Sequence, residues 1–229
     1  MKLFNKNTPI ADAIINHPNL IVVLERLNIP LGVQDLTIQE YAVENQINPE
    51  LLLSLFNLQV YHLIEENITF NKKDVNQIID YLKSSHDYYT SEFYPIISKH
   101  INALINHNTN SEFQMLQKFF NDYLQEVEQH FKYEDDIVFP YIKNLVQGKR
   151  ETFDYAVEEY KQHHDDIEAK LEDLISLLVK FLPSGNDIKL RRKIIETLAR
   201  LDEDLQIHAR IENEMLIPLV ETMEGKNHD

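Results

Sequence analysis

A chain of 229 residues, 43% hydrophobic and 26% charged, has the make-up of an ordinary soluble protein and enough length to bury a real core. A net charge of -16 argues against nucleic acid and against anionic membranes as partners, because both call for a basic surface. The complete lack of cysteine excludes disulfides, thiolate metal sites and cysteine nucleophiles, and gives no reason to invoke an oxidising compartment.

With only 4 Gly and 8 Pro, the chain calls for long regular elements. Abundant Leu, Ile, Glu, Lys and Gln make those elements helices, so the expected fold class is all-α. Near the start, Ile14-Ile15 and Leu20 to Leu24 are separated by Asn16, His17, Pro18 and Asn19. No apolar run there is of signal-peptide type or approaches transmembrane length, and a cytoplasmic location is the expectation.

Residues 1–70 read as a small helical module. Thr8-Pro9 opens a helix running to about His17, and Pro18-Asn19 restarts the chain toward Leu27. Pro30 and Gly32 mark a turn. Thr37 with Glu40 forms a capping box for a third helix, and Asn48-Pro49-Glu50 starts a fourth through Leu51, Leu52, Leu55, Phe56 and Leu58. Four short helices bury little by themselves, so the module is expected to dock on the rest of the chain or on a partner. His17 and His62 have no second ligand at helical spacing and read as surface residues. The polar stretch from Glu65 to Lys73 is the expected boundary, with residues 71–229 forming the second domain.

Beyond that boundary come four long amphipathic patterns. The first runs through Val75, Ile79, Leu82, His86, Tyr89, Phe93 and Ile96 to about Ile105. The second holds Leu116, Phe120, Tyr123, Val127, His130, Glu134, Ile137 and Tyr141. The third holds Val157, Tyr160, His164, Ile167, Leu171, Leu174, Leu178 and Phe181, and the fourth Ile194, Leu198, Leu201, Leu205, His208, Glu212, Met215 and Leu219. Steps of three and four residues are the seam of a packed helix. Short polar breaks around Asn106–Asn110, Gln147–Arg150 and Pro183–Asp187 predict an up-down-up-down four-helix bundle. Pro95 is expected to kink or divide the first long helix, and Pro140 and Pro218 to bend or end the second and fourth.

An internal repeat singles out the functional residues. His130, Glu134 and Pro140 recur 78 residues later as His208, Glu212 and Pro218, and the same offset carries His86-Asp87 onto His164-Asp165. All six side chains, His86, His130, Glu134, His164, His208 and Glu212, fall on seams where a bundle expects Leu or Ile. Buried carboxylates need strong compensation, and Lys and Arg are absent from the seams, which leaves a bound cation. The midpoints of His86/His130, His130/His164 and His164/His208 are 108, 147 and 186, each inside a predicted loop, so the four histidines are level in an antiparallel bundle. Each Glu lies one turn beyond its His, on one side of that layer, which gives two metals two histidines each and two carboxylates placed to bridge them.

Imidazole and carboxylate without thiolate suit iron, zinc or manganese, and open coordination positions favour iron. Asp87 and Asp165 either orient the ligand histidines or face solvent. His163 competes with His164 but misses the seam, and His100, His107 and His228 read as surface residues. Tyr89, Tyr123, Tyr133 and Tyr160 line the site or simply pack.

The run from Asp80 to Asp87, with His130 and Glu134 ending in Phe139-Pro140 and His208 with Glu212-Asn213 ending in Ile217-Pro218, resembles the hemerythrin-like domain of the repair-of-iron-centres (RIC) proteins. The N-terminal module is similar to the small domain that precedes that bundle. The resemblance implies two iron ions joined by an oxo or hydroxo group and by Glu134 and Glu212. It also implies a cytoplasmic role in restoring iron–sulfur clusters damaged by nitric oxide or peroxide, with damaged iron–sulfur proteins as partners. Many members carry an adjacent cysteine pair in the turn corresponding to Pro30–Gly32, and this chain has none, which removes a thiol role from the module. The competing functions are reversible binding or sensing of oxygen or nitric oxide, signalled through the N-terminal domain, and peroxidase- or oxidase-type turnover. Whether the chain is an enzyme, and whether it forms a homodimer, stay open at this point.

Overall fold

The computed structural model describes residues 3–64, 70–106, 108, 110–149, 157–162, 167–185 and 187–225. Among these residues the regular elements are helices, and the only β pairing is an isolated bridge between Pro9 and Thr37. No described helix is long and apolar enough to cross a membrane. The chain divides into two compact units, one of residues 1–85, 142–152 and 210–229, the other of residues 86–141 and 153–209.

The first unit begins with four helices, α1 (Ile10–Asn16), α2 (Leu20–Arg26), α3 (Ile38–Glu44) and α4 (Pro49–Tyr61). Local chemistry fixes their starts. Thr37 accepts from the Glu40 backbone N–H while the Glu40 carboxylate accepts from the Thr37 N–H, a complete capping box. Asn48 caps α4 by accepting from the Glu50 N–H, with Pro49 in the first turn where its missing donor costs nothing.

Polar contacts join the module to α5 (Lys72–Tyr88). Asn48 donates to the Asp74 carboxylate at 2.8 Å, Gln77 donates to the Gln46 carbonyl at 2.9 Å, and the buried Arg26 guanidinium lies 5.6 Å from the centre of the Tyr81 ring. The expected domain boundary falls partly on residues 65–69, which lie outside the described residues.

The remaining helices are α6 (Tyr94–Asn106), α7 (Ser111–Tyr133), α8 (Phe139–Val146), α9 (Val157–Gln162), α10 (Ile167–Ser176), α11 (Ile188–Ile211) and α12 (Ile217–Glu224). In the second unit, Tyr89, Phe93 and Ile97 pack with Phe113, Leu116, Phe120, Val127, Leu171, Leu174, Leu178, Leu198 and Leu201 in one continuous core. This is a helical bundle with its apolar seams turned inward.

The long helices do not keep α geometry to their ends. Wider π-helical turns occupy Tyr89–Phe93, Glu134–Val138, Leu177–Phe181 and Glu212–Leu216. Three of them run straight into a proline at the second residue of the next helix: Pro95, Pro140 and Pro218. In each of these the residue before the proline donates its N–H five residues back: Tyr94 to Tyr89, Phe139 to Glu134 and Ile217 to Glu212. A proline in a regular helix interior removes a hydrogen bond and clashes with the carbonyl four residues earlier. Widening the turn just before it lets the helix continue. Pro95 therefore divides its helix by a π turn, and Pro140 and Pro218 do not end theirs.

The extra residue in each π turn also shifts the seam by one position, which corrects four expected core residues. Ile96 is 46% exposed and Ile97 fully buried, and Ile137 is 44% exposed with Val138 buried. Phe181 is likewise exposed with Leu182 buried, and Leu219 is only partly buried beside a buried Val220. A strict three-and-four count assumes α geometry throughout, so it falls one residue short after each π turn.

Candidate metal centre

His86 sits on the last turn of α5, His130 near the end of α7 and His208 near the end of α11, while Glu134 is the first residue of the π turn that follows α7. All four belong to the second unit and are buried, Glu134 completely. Nε2 of His86 lies 3.3 Å from Nε2 of His208 and 3.1 Å from Oε2 of Glu134. The other carboxylate oxygen, Oε1, lies 3.2 Å from Nε2 of His130 and accepts a hydrogen bond from the Tyr160 hydroxyl at 3.0 Å. One carboxylate thus faces His86 with one oxygen and His130 with the other.

The donor set fits a metal. His86, Glu134 and His208 each offer one ligand atom, and the three atoms lie within 4.8 Å of one another. Nε2 of His86 and Nε2 of His208 face each other at 3.3 Å, so two potential ligand atoms converge on one point. Oε2 of Glu134 is buried and makes no aligned hydrogen bond, although the His86 ring nitrogen is near. A cation among these atoms satisfies both observations.

Aromatic rings pack against the buried imidazoles and hold them. Phe131 stacks on His86 with ring centres 4.1 Å apart, and Phe139 lies nearly parallel to the same ring at 5.8 Å. The Tyr89 ring meets His208 edge-on at 5.9 Å, and its hydroxyl donates to the Asp204 carbonyl. Of the tyrosines expected near the site, Tyr160 touches Glu134, Tyr89 touches His208, and the Tyr123 hydroxyl instead meets Tyr94 in the core.

His164 lies outside the described residues, as do His163, Asp165, His107 and His228. Glu212 is fully buried, one turn beyond His208, and opens the π turn of the fourth long helix, the same position that Glu134 takes in the second. It is grouped with the first unit. His17 is half-buried, edge-on to Phe4 and Tyr61, and His62 is exposed at the left-handed end of α4. Asp87 faces solvent. The acidic group near His86 that the sequence reading missed is Asp135, whose Oδ2 lies 3.5 Å from Nδ1. It sits on another helix from His86, so adjacency along the chain gives no sign of it.

Burial disfavours a charged His86 ring, but the Asp135 and Glu134 carboxylates outweigh that and raise its pKa to about 9. In the metal-free protein the folded pKa then lies above the unfolded value. The associated stability is fully present below about pH 6.5 and is lost as pH rises through about 9, on the order of 3 kcal/mol. Thermal unfolding of the chelator-treated protein between pH 6 and 10 is expected to show that decline. A flat profile would mean that folding does not raise the pKa of the ring.

Residues 77–220, more than half of the chain, match the family model for hemerythrin, described as the hemerythrin HHE cation binding domain. No curated protein matches the chain.

Proposed function

The chain belongs to the hemerythrin family of cation-binding domains, and on that footing we propose that it is a two-iron protein of the repair-of-iron-centres type, which helps restore iron–sulfur clusters damaged by nitric oxide or oxidants. The observation that carries the two-metal part is the placement of Glu134. Its oxygens face His86 and His130 separately, as a carboxylate bridging two ions must. In this reading His86 and His208 would hold one ion and His130 the other, with Glu134 between them, and the sequence repeat adds His164 and Glu212 to the proposed ligand set. The bound iron supplies redox chemistry and affinity for small diatomic molecules. The protein keeps the ligand carboxylate in place through Tyr160 and screens the pair from bulk water with Phe131, Phe139 and Tyr89.

The repair role is supported by the likeness of the His/Glu motifs and the N-terminal helical module to the RIC proteins, with a cytoplasmic location and damaged iron–sulfur proteins as partners. The test is reactivation of a nitric-oxide-damaged cluster enzyme by the iron-loaded protein. Faster recovery than with an equal amount of free ferrous iron is expected, and recovery no faster than free iron rejects the role. The aromatic lining favours one second reading, reversible binding of oxygen or nitric oxide. That reading predicts a spectral change on gas exposure that reverses under vacuum, without release of iron.

A further inference from the structure

Glu134 and Asp135 are successive residues, yet both reach the same imidazole. Oε2 of Glu134 lies 3.1 Å from Nε2 of His86, and Oδ2 of Asp135 lies 3.5 Å from Nδ1. In a regular α-helix adjacent side chains point about 100° apart, so two neighbours seldom address one ring. Here both sit at the start of the π turn Glu134–Val138, where the helix is locally wider. Among the described residues no other acceptor reaches Nδ1 of His86. The distance is at the outer edge of a hydrogen bond, a gap that a small rotation of the half-exposed Asp135 side chain closes. Phe131 and Phe139 fix the plane of the ring, so its remaining freedom is rotation within that plane, which a partner on Nδ1 removes.

We propose that Asp135 is a positioning residue for the metal centre, clasping Nδ1 of His86 so that Nε2 is presented to the metal in one orientation and with raised basicity. The inference rests on the two-iron reading above. A histidine ligand whose other nitrogen donates to a carboxylate is held in the correct tautomer and binds more strongly, and loss of such a partner commonly weakens metal binding 10- to 100-fold. The internal repeat makes the effect one-sided. The residue 78 positions after Asp135 is Asn213, which is exposed and uncharged, so the second half of the repeat lacks the acid. The effect of Asp135 is therefore expected on the ion held by His86.

The experiment is a competition titration of the full-length protein with ferrous iron under anaerobic conditions, together with the midpoint potential of the loaded centre. Asp135→Ala is expected to weaken one of the two metal equivalents by about 10- to 100-fold and to raise the potential. Asp135→Asn, which keeps an acceptor but loses the charge, is expected to fall between Ala and wild type. Asp136→Ala, a neighbouring exposed acid with the same change in charge, is expected to behave as wild type. Both equivalents binding to Asp135→Ala within twofold of wild type, with an unchanged potential, overturns the inference. So does an equal loss in Asp136→Ala, which would reduce the effect to general charge. If Asp135→Ala fails to fold, the near-isosteric Asp135→Asn decides by the same two readouts. Wild type and Asp136→Ala binding no iron would instead sink the two-iron reading itself, and this inference with it.

Discussion

Glu134→Ala is expected to reduce bound iron from about two to less than one per chain, whereas His130→Ala keeps close to one. The contrast follows from geometry. His130 approaches only Oε1 of Glu134, and the His86/His208 pair lies on the Oε2 side, with the two histidine nitrogens 3.3 Å apart. On the two-iron proposal, removing His130 damages one metal position, while removing the carboxylate takes a ligand from both. Glu134→Asp sharpens the test. Its carboxylate is withdrawn by one carbon–carbon bond, about 1.5 Å, and cannot face both sides from the same backbone position. It should hold one ion and lose the near-ultraviolet absorption of a bridged pair. Metal analysis and absorption spectra of the three variants, each loaded anaerobically, give the answer. Equal stoichiometry in Glu134→Ala and His130→Ala would show that the carboxylate does not bridge. The metal-free Glu134→Ala protein should also lose much of the decline in stability between pH 6.5 and 9, because one of the two carboxylates that raise the pKa of His86 is gone.

How much of this was legible without coordinates depended on which physical rule each feature obeys. The all-α class, the capping box at Thr37 and the start of α4 at Asn48-Pro49 follow from local chemistry, and the structure contains each of them. The gathering of His86, His130, Glu134 and His208 was visible because polar side chains on an apolar seam, level across loops, have few alternatives. Two features resisted. The contact between Asp135 and His86 joins residues on different helices, and nothing in the spacing of either one announces it. The π turns were hidden because the seam before each of them has perfect α spacing. For three of the four the only sequence mark is a proline within an unbroken amphipathic pattern, at Pro95, Pro140 and Pro218, and that mark fits a kink or a helix end equally well. Their placement is informative all the same. Glu134 and Glu212 each occupy the first position of such a turn, so the backbone widens where the buried carboxylates stand.

The register shift has a large energetic consequence, and alanine substitutions at adjacent residues expose it. A helix that kept α spacing after Phe93 would centre Ile96 on the buried face and set Ile97 toward its edge. The π turn Tyr89–Phe93 reverses that, burying Ile97 in the core of the second unit. Ile97→Ala is therefore expected to destabilise the protein by about 2–5 kcal/mol, the usual effect of emptying a buried aliphatic site. Ile96→Ala should change stability by about 0.5 kcal/mol or less, as for most surface positions. Val138→Ala against Ile137→Ala repeats the comparison after the second π turn, with the larger loss again at the later residue. Urea denaturation of the metal-free variants measures all four, which keeps metal affinity out of the comparison. Larger losses at Ile96 and Ile137 would mean that the helices are regular and that the π turns are absent. Since Glu134 opens one of these turns, the same result would also remove the backbone geometry that brings Glu134 and Asp135 to a single imidazole.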